Sequence, residues 1–249
     1  MSLLSSELRI ALLPGCAALA QGRDAPRVAE QPAGWDGALS ALEALLDTQR
    51  PGGRAHVTLS HHFLRLFLLE PPPTRLRREE MRAWLGERLA ESLGDVGAWR
   101  LVWPDVPPAR PVPVCALPAE YQDALEVRLA RRRLRARHIR PWLDVAWSRR
   151  RWTLRRATGW YVLMEPGEGC ALWLEHGRIR HLRQRRLDPG AGETLPALLR
   201  REALLAGLPG EGEVWLERTG VEVDAAALGA GWRVHTLAGP LEPAQALLG

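Results

Sequence analysis

The sequence contains no lysine, so all 34 of its strongly basic residues are arginine, and only two Phe and two Tyr stand beside 11 Trp. A vocabulary this rich in Arg, Ala, Leu, Pro and Gly is that of a GC-rich genome. Part of the positive charge is therefore compositional, and a net charge of +5 argues only weakly for an acidic partner. Cysteine is scarce: Cys16, Cys115 and Cys170 are odd in number, far apart and without a CxxC pair. That excludes a disulfide framework and a paired-cysteine zinc site, and leaves small buried thiols. The start "MSLLSSELRIALLPGCAALA" lacks the basic n-region of a signal peptide, and no run approaches 18 uninterrupted apolar residues. The expectation is a reducing, cytoplasmic setting and no membrane span.

Catalytic signatures are missing as well. G-x-S-x-G, P-loop and H-E-x-x-H motifs are absent, and Ser60, Ser148, Cys115 and Cys170 have no base or orienting partner in the sequence. His61-His62 are read as neighbours on a strand that point to opposite faces, which supplies strand-edge polarity rather than a metal site.

What is present describes a globular α/β chain. At 249 residues, 46% hydrophobic and 25% charged, it has room for one large or two modest domains. Residues 8–13 and 16–20 read as strands around the turn Pro14-Gly15, with a third near 27–30. Trp35, Ala38, Leu39, Leu42, Leu45 and Leu46 have helical spacing, and Pro51-Gly52-Gly53 closes that helix. "HVTLS" follows as a strand, then "HHFLRLFLLE" as a buried one ended by Pro71-Pro72-Pro73. Thr74 precedes a helix with Met81, Trp84, Leu85 and Leu89 inward. "WRLVW", a connector with five prolines in "PDVPPARPVP", "VCAL", a helix to about Arg133 and a strand-like "IRPWLDVAW" complete the first half. In the second half "WYVLME", "CALWLE" and "RIRHLRQRRL" form a meander. Thr194 opens a helix with Leu195, Leu198, Leu199, Ala203 and Leu205 inward, and "EVWLE" and "WRVHTL" are the last strands.

Two stretches echo each other. "LPGCAALAQGR" and "MEPGEGCALWLEHGR" both place Pro-Gly, Cys-Ala, an apolar run and Gly-Arg in order, and strand, turn, strand, turn, strand, helix, strand occurs in both halves. A three-stranded meander followed by a helix and a strand is the ribonuclease-H-like unit, and its duplication is the actin-like architecture. The expected division is 1–150 as a first half with inserted helices and 151–249 as a smaller second half. On "VTLSHHFLRLFLLEPP" and "WYVLMEPGEGCALWLEHGRIRHLRQRRL" the chain resembles the PilM and GspL-type proteins, actin-like components of type IV pilus assembly and type II secretion.

That resemblance implies a cytoplasmic platform peripheral to the inner membrane. It also implies as partner an inner-membrane protein tail or an assembly ATPase, held as an extended peptide in a first-half groove or as an added strand. The family's membrane-anchored members carry a helix that this sequence lacks, so the resemblance implies a soluble protein like PilM or a domain whose anchor is missing. It further implies a nucleotide site between the halves. Actin-like ATPases place Asp-x-Gly at the first turn, where glycine admits phosphate and aspartate orients hydrated Mg²⁺. Here Leu13-Pro14-Gly15 keeps the glycine and loses the carboxylate, while Glu165-Pro166-Gly167 and Gly169 keep an acid and small residues. Pro14 and Pro166 each remove a backbone donor, Glu168 adds negative charge, and Thr219-Gly220 is the nearest match to an adenosine-binding glycine pair. The expectation is a degenerate site formed from Gly15, Glu165, Gly167 and Gly169, with no ATP cofactor and no enzyme activity; an actin-like ATPase or phosphotransferase is the alternative.

The densest charge, "RLARRRLRARHIR" and "SRRRWTLRR", makes Arg131, Arg132, Arg133, Arg149 and Arg150 surface candidates for an acidic partner or membrane face. With Trp142, Trp147 and Trp152 interleaved, 128–156 is also the region a nucleic-acid binder would use. The plain alternative is a solvated helix end followed by strand edges that alternate Arg with buried Trp.

Overall fold

A computed structural model describes residues 7–22, 24–49, 52–105, 107, 109–187, 195–223, 228–229, 231–237 and 242–248. Strands β1 (Glu7–Leu13), β2 (Cys16–Gln21) and β3 (Arg27–Glu30) form the first meander, followed by helix α1 (Trp35–Asp47) and strand β4 (Gly53–Leu59). Strand β5 (Arg65–Leu69), helix α2 (Arg78–Leu93) and strands β6 (Trp99–Val102) and β7 (Val112–Pro118) form an inserted unit. Helix α3 (Ala119–Arg131), strand β8 (Leu134–Pro141) and helix α4 (Trp142–Leu154) return to the first sheet and leave it. The second half runs β9 (Gly159–Glu165), β10 (Glu168–Glu175), β11 (Arg178–Arg186), α5 (Leu195–Ala206), β12 (Gly212–Arg218), β13 (Trp232–Thr236) and α6 (Pro243–Leu248).

The sheets repeat one topology. The first is ordered β3-β2-β1-β4-β8 and the second β11-β10-β9-β12-β13. In each the first three strands are antiparallel, and the fourth and fifth add in parallel. Ser60 N–H, just past β4, donates to Leu12 O at 2.9 Å, and Thr219 N–H, just past β12, donates to Met164 O at 2.9 Å. The two Pro-Gly turns therefore occupy equivalent positions. Their cysteines do not: Leu13 lies opposite Cys16 where Glu165 lies opposite Glu168, and Cys170 holds the place of Ala18.

Period-two alternation explains how the layers stack. Leu8, Ile10 and Leu12 of β1 face α1 and α3, whereas Ala11 and Leu13 face α4 and α6. Likewise Trp160, Val162 and Met164 of β9 face α5, and Tyr161 and Leu163 face the same central layer. Small residues, Ala11, Ala18, Ala20, Ala244 and Ala246, line the contact of α6 with the first sheet and allow close approach. Helix α2 covers the inserted sheet, ordered β5-β7-β6, through Met81, Leu85 and Leu89.

Several expectations need correction. "IRPWLDVAW" is not one strand, because β8 stops at Pro141 and α4 begins at Trp142 with Asp144 in its first turn. The 150/151 division falls inside α4, whose residues lie in the layer shared by both sheets, and α6 returns to the first sheet. "HHFLRLFLLE" breaks into a 3-10 turn at His61–Phe63 and the half-exposed edge strand β5. Leu205 is exposed rather than inward, and Thr194 lies outside the described residues. Cys170 is buried, but Cys16 and Cys115 only partly so.

Candidate functional site

The two Pro-Gly turns face each other across a cleft of about 540 Å³, lined by Pro14 and Pro166, with Glu242 and the first α6 residues Pro243 and Ala244 completing the lining. His61, whose place in the sequence suggests strand-edge polarity, sits instead in a buried 3-10 turn behind the cleft, against Glu165. Ser60 caps the 3-10 turn through its side chain, which turns His61 inward until it has no exposed surface.

Glu165 reaches this turn from the end of β9. Its Oε2 accepts from Ser60 Oγ at 2.7 Å, and its Oε1 accepts from His61 N–H at 2.8 Å. His61 Nδ1 lies 3.1 Å from Oε1, close but not aligned for a hydrogen bond. On its far side His61 Nε2 accepts from Leu143 N–H at 3.1 Å, so the lone pair is on Nε2 and the neutral ring's proton is on Nδ1, facing the carboxylate. Burial works to raise the Glu165 carboxyl, but the His61 ring, the Ser60 hydroxyl and the His61 N–H outweigh it and hold it below its ordinary value. Gln184 of β11 fastens the same turn: its Nε2 donates to His61 O at 2.7 Å and to Leu64 O at 3.1 Å, and its Oε1 accepts from Leu66 N–H at 2.9 Å. His62 Nε2 meets Pro166 O at 2.7 Å across the cleft.

The other candidate glycines are engaged structurally. Gly15, at φ +70°, donates its N–H to Gly34 O at 3.1 Å, and a Cβ there would lie 2.5 Å from Gln31 O. Its amide is thus not presented to the cleft. Gly167, at φ +77°, accepts from Leu187 N–H through its carbonyl at 2.9 Å. Gly169 lies in the β9–β10 ladder, with Leu187 and Leu198 nearest to where its Cβ would be. Glu168 is buried, one of its oxygens lacks a hydrogen bond, and that burial pushes its carboxyl up.

The cleft lining is rich in negative charge. Carboxylates Glu30, Glu165 and Glu242 line the cleft, and no arginine is among its described lining residues. At Thr219-Gly220, a Cβ on Gly220 would lie 2.6 Å from Pro243 Cγ and 3.2 Å from Pro166 Cγ, so Gly220 packs closely against the two prolines. Ser60 Oγ and His61 N–H both donate to Glu165.

The basic candidates separate in space. Arg131 pairs with Glu43 at 3.3 Å, Arg132 pairs with Asp47, and Arg133 is exposed at the α3–β8 turn with φ +56°. Arg149 and Arg150 of α4 turn inward, each 3.2 Å from the buried carboxylate of Glu217, which also accepts from Tyr161 Oη at 3.0 Å. Arg149 donates further to Ala246 O of α6 at 3.2 Å, so this group ties together α4, the second sheet and α6. Among the described residues no three or more His, Cys, Asp or Glu converge as a metal site, and no helix is long and apolar enough to cross a membrane.

Two sheets of identical strand order, related turns facing one cleft, and helices layered between them settle the architecture. The fold is actin-like. No protein-family model and no curated protein sequence matches the chain. Solved structures do. The PilM-PilN type IV pilus biogenesis complex aligns with a TM-score of 0.67 at 13% identity, covering 92% of this chain and 88% of that one. A Bacteroides thetaiotaomicron protein of unknown function with an actin-like ATPase fold aligns at 0.62 and 11% identity, covering 90% and 85%. The cytoplasmic domain of EpsL, an inner-membrane component of the type II secretion system of Vibrio cholerae, aligns at 0.57 and 16% identity, covering 98% and 93%. The PilM and GspL-type resemblance read from the sequence is matched by these actin-like neighbours at the level of fold.

Proposed function

We propose that this actin-like chain is a non-catalytic platform component of a type IV pilus or type II secretion assembly, acting at the cytoplasmic face of the inner membrane. Its ligand is a segment of a partner protein, for which the tail of an inner-membrane component is the class we favour. The observation that carries the reading is Glu165, whose buried carboxylate takes the Ser60 and His61 donors in the inter-lobe cleft. A polyphosphate entering there would meet carboxylates and two prolines instead of N–H groups and a cation. Likeness in fold to PilM, solved with PilN, and to EpsL supports the type of assembly.

The inserted unit supplies a surface suited to an extended peptide. A groove of about 910 Å³ runs between the Pro71-Pro72-Pro73 segment and Trp103, with Arg75 and Arg78 beside it. Proline and tryptophan walls suit peptide backbone and apolar side chains, and the arginines favour acidic residues. Calorimetric titration with ATP and Mg²⁺, repeated with ADP, tests the reading. No heat and no thermal shift at millimolar nucleotide is the expected result, and micromolar Mg²⁺-dependent binding would overturn it in favour of a nucleotide-switched ATPase.

A further inference from the structure

Helix α4 ends at the pole of the second half opposite the cleft, and its last turn is unlike the rest of the helix. Trp152 is 68% exposed and is the only aromatic among the strongly exposed large apolar residues of the described chain. Arg151 and Arg155 stack on its ring at 5.3 and 5.9 Å. At about 100° per residue Arg151, Trp152 and the αR C-cap Arg155 share an arc of about 100°, and Arg156 follows in the turn after the helix. The β10–β11 turn packs on this end through Gly177 N–H to Ala157 O at 2.8 Å, so closely that a Cβ on Gly177 would lie 2.2 Å from Arg155 O. That contact fixes Arg178 beside Arg155 and Arg156. Arg151, Arg155, Arg156 and Arg178 are exposed and have no acidic partner among the described residues. The acids at the same end are already matched, Glu175 with Arg180 at 2.8 Å and Glu213 with Arg233 at 3.0 Å and with His235.

We infer that this pole is a docking surface for an anionic lipid bilayer. An exposed indole flanked by guanidiniums suits the headgroup layer, where the ring lies at the interface and the arginines meet lipid phosphates. The surface is a helix end with a single aromatic, not a groove with successive stacking platforms, so lipid is favoured over a nucleic-acid strand. The platform reading supplies only the identity of the membrane. The surface follows from its own geometry, and its test is independent of the nucleotide titration.

The test is co-sedimentation of the whole chain with phosphatidylglycerol/phosphatidylethanolamine vesicles at low and high salt, against phosphatidylcholine vesicles. A single-stranded oligonucleotide serves as competitor, and quenching by brominated lipid reports ring depth. Binding is expected to anionic vesicles only and to weaken with salt. Each arginine removed should weaken it roughly 5-fold, so R155S/R156S should lose about 25-fold. W152S should weaken it too, and W152F should bind while losing the bromolipid quenching that Trp152 contributes. All these positions are exposed, and matched circular dichroism melts establish that the variants fold. Absence of binding at low salt, equal binding to phosphatidylcholine, undiminished binding of R155S/R156S, or tighter binding of the oligonucleotide at the same residues would each overturn the proposal.

Discussion

Replacing Glu165 tests the central claim about the cleft. In Glu165→Ala the hydroxyl of Ser60 and the backbone N–H of His61 lose their acceptor inside a region where Ser60 and His61 have no exposed surface. Each orphaned donor costs about 1–3 kcal/mol, and breaking a buried charged group of this kind costs about 3–5 kcal/mol in all. For a chain of this size that is a fall in melting temperature of about 6–20 °C. Glu165→Gln keeps the shape, can still accept from the His61 backbone N–H, and lets the Ser60 hydroxyl reverse to accept from the amide. It should cost only about 1–2 kcal/mol, the difference between charged and neutral hydrogen bonds. Sodium formate, compared with sodium chloride at equal ionic strength, should recover part of the loss in Glu165→Ala alone, because formate fits the vacated place and accepts the same donors. Thermal and denaturant melts read all three variants. An alanine variant within about 0.5 kcal/mol of the parent, or one that formate and chloride affect alike, would refute an anion-locked cleft.

Other consequences can be checked in the same melts. Glu217→Gln should destabilise by about 2–3 kcal/mol, below the full figure for a buried pair because the Arg149 and Arg150 side chains remain 28% and 22% exposed. Leu247→Ala, at a fully buried α6 position in the central layer, should cost about 3 kcal/mol, and a loss under 1 kcal/mol would contradict the packing of α6 on the first sheet. Glu165 and its strand neighbour Glu168 should show opposite pH dependence. The lowered Glu165 carboxyl contributes stability that is present above its ordinary value of 4.5 and lost as pH falls through its lower native value, so the gap between parent and Glu165→Gln should close in acid. The raised Glu168 carboxyl opposes folding once charged, so Glu168→Gln should be more stable than the parent at neutral pH and lose that advantage as pH falls toward 4.5.

Local regularity made much of the fold legible from sequence. The α1 stripe from Trp35 to Leu46 is buried as its spacing predicts, and Pro14-Gly15 and Pro166-Gly167 are tight turns with glycine at positive φ. Repetition of these local signals, more than residue identity, exposed the duplicated unit. Helix α4 was hidden for a physical reason: Trp142, Leu143, Val145 and Ala146 fill the central layer while Arg149 and Arg150 also turn inward, so polar and apolar residues do not separate onto two faces.

The cleft was legible only in its losses. A missing carboxylate at Leu13 and prolines at both turns can be read from sequence, because a phosphate site needs particular residues at fixed local positions. The closure of that cleft by Glu165 cannot, since its donors lie 104 and 105 residues away in the chain and meet it only when two sheets stack on α4. The arginine-rich stretch was equally undetermined by composition. Folding turned Arg149 and Arg150 onto the buried carboxylate of Glu217 and left Arg151, Arg155 and Arg156 at the surface, because successive residues of a helix point 100° apart and only packing decides which direction is inside.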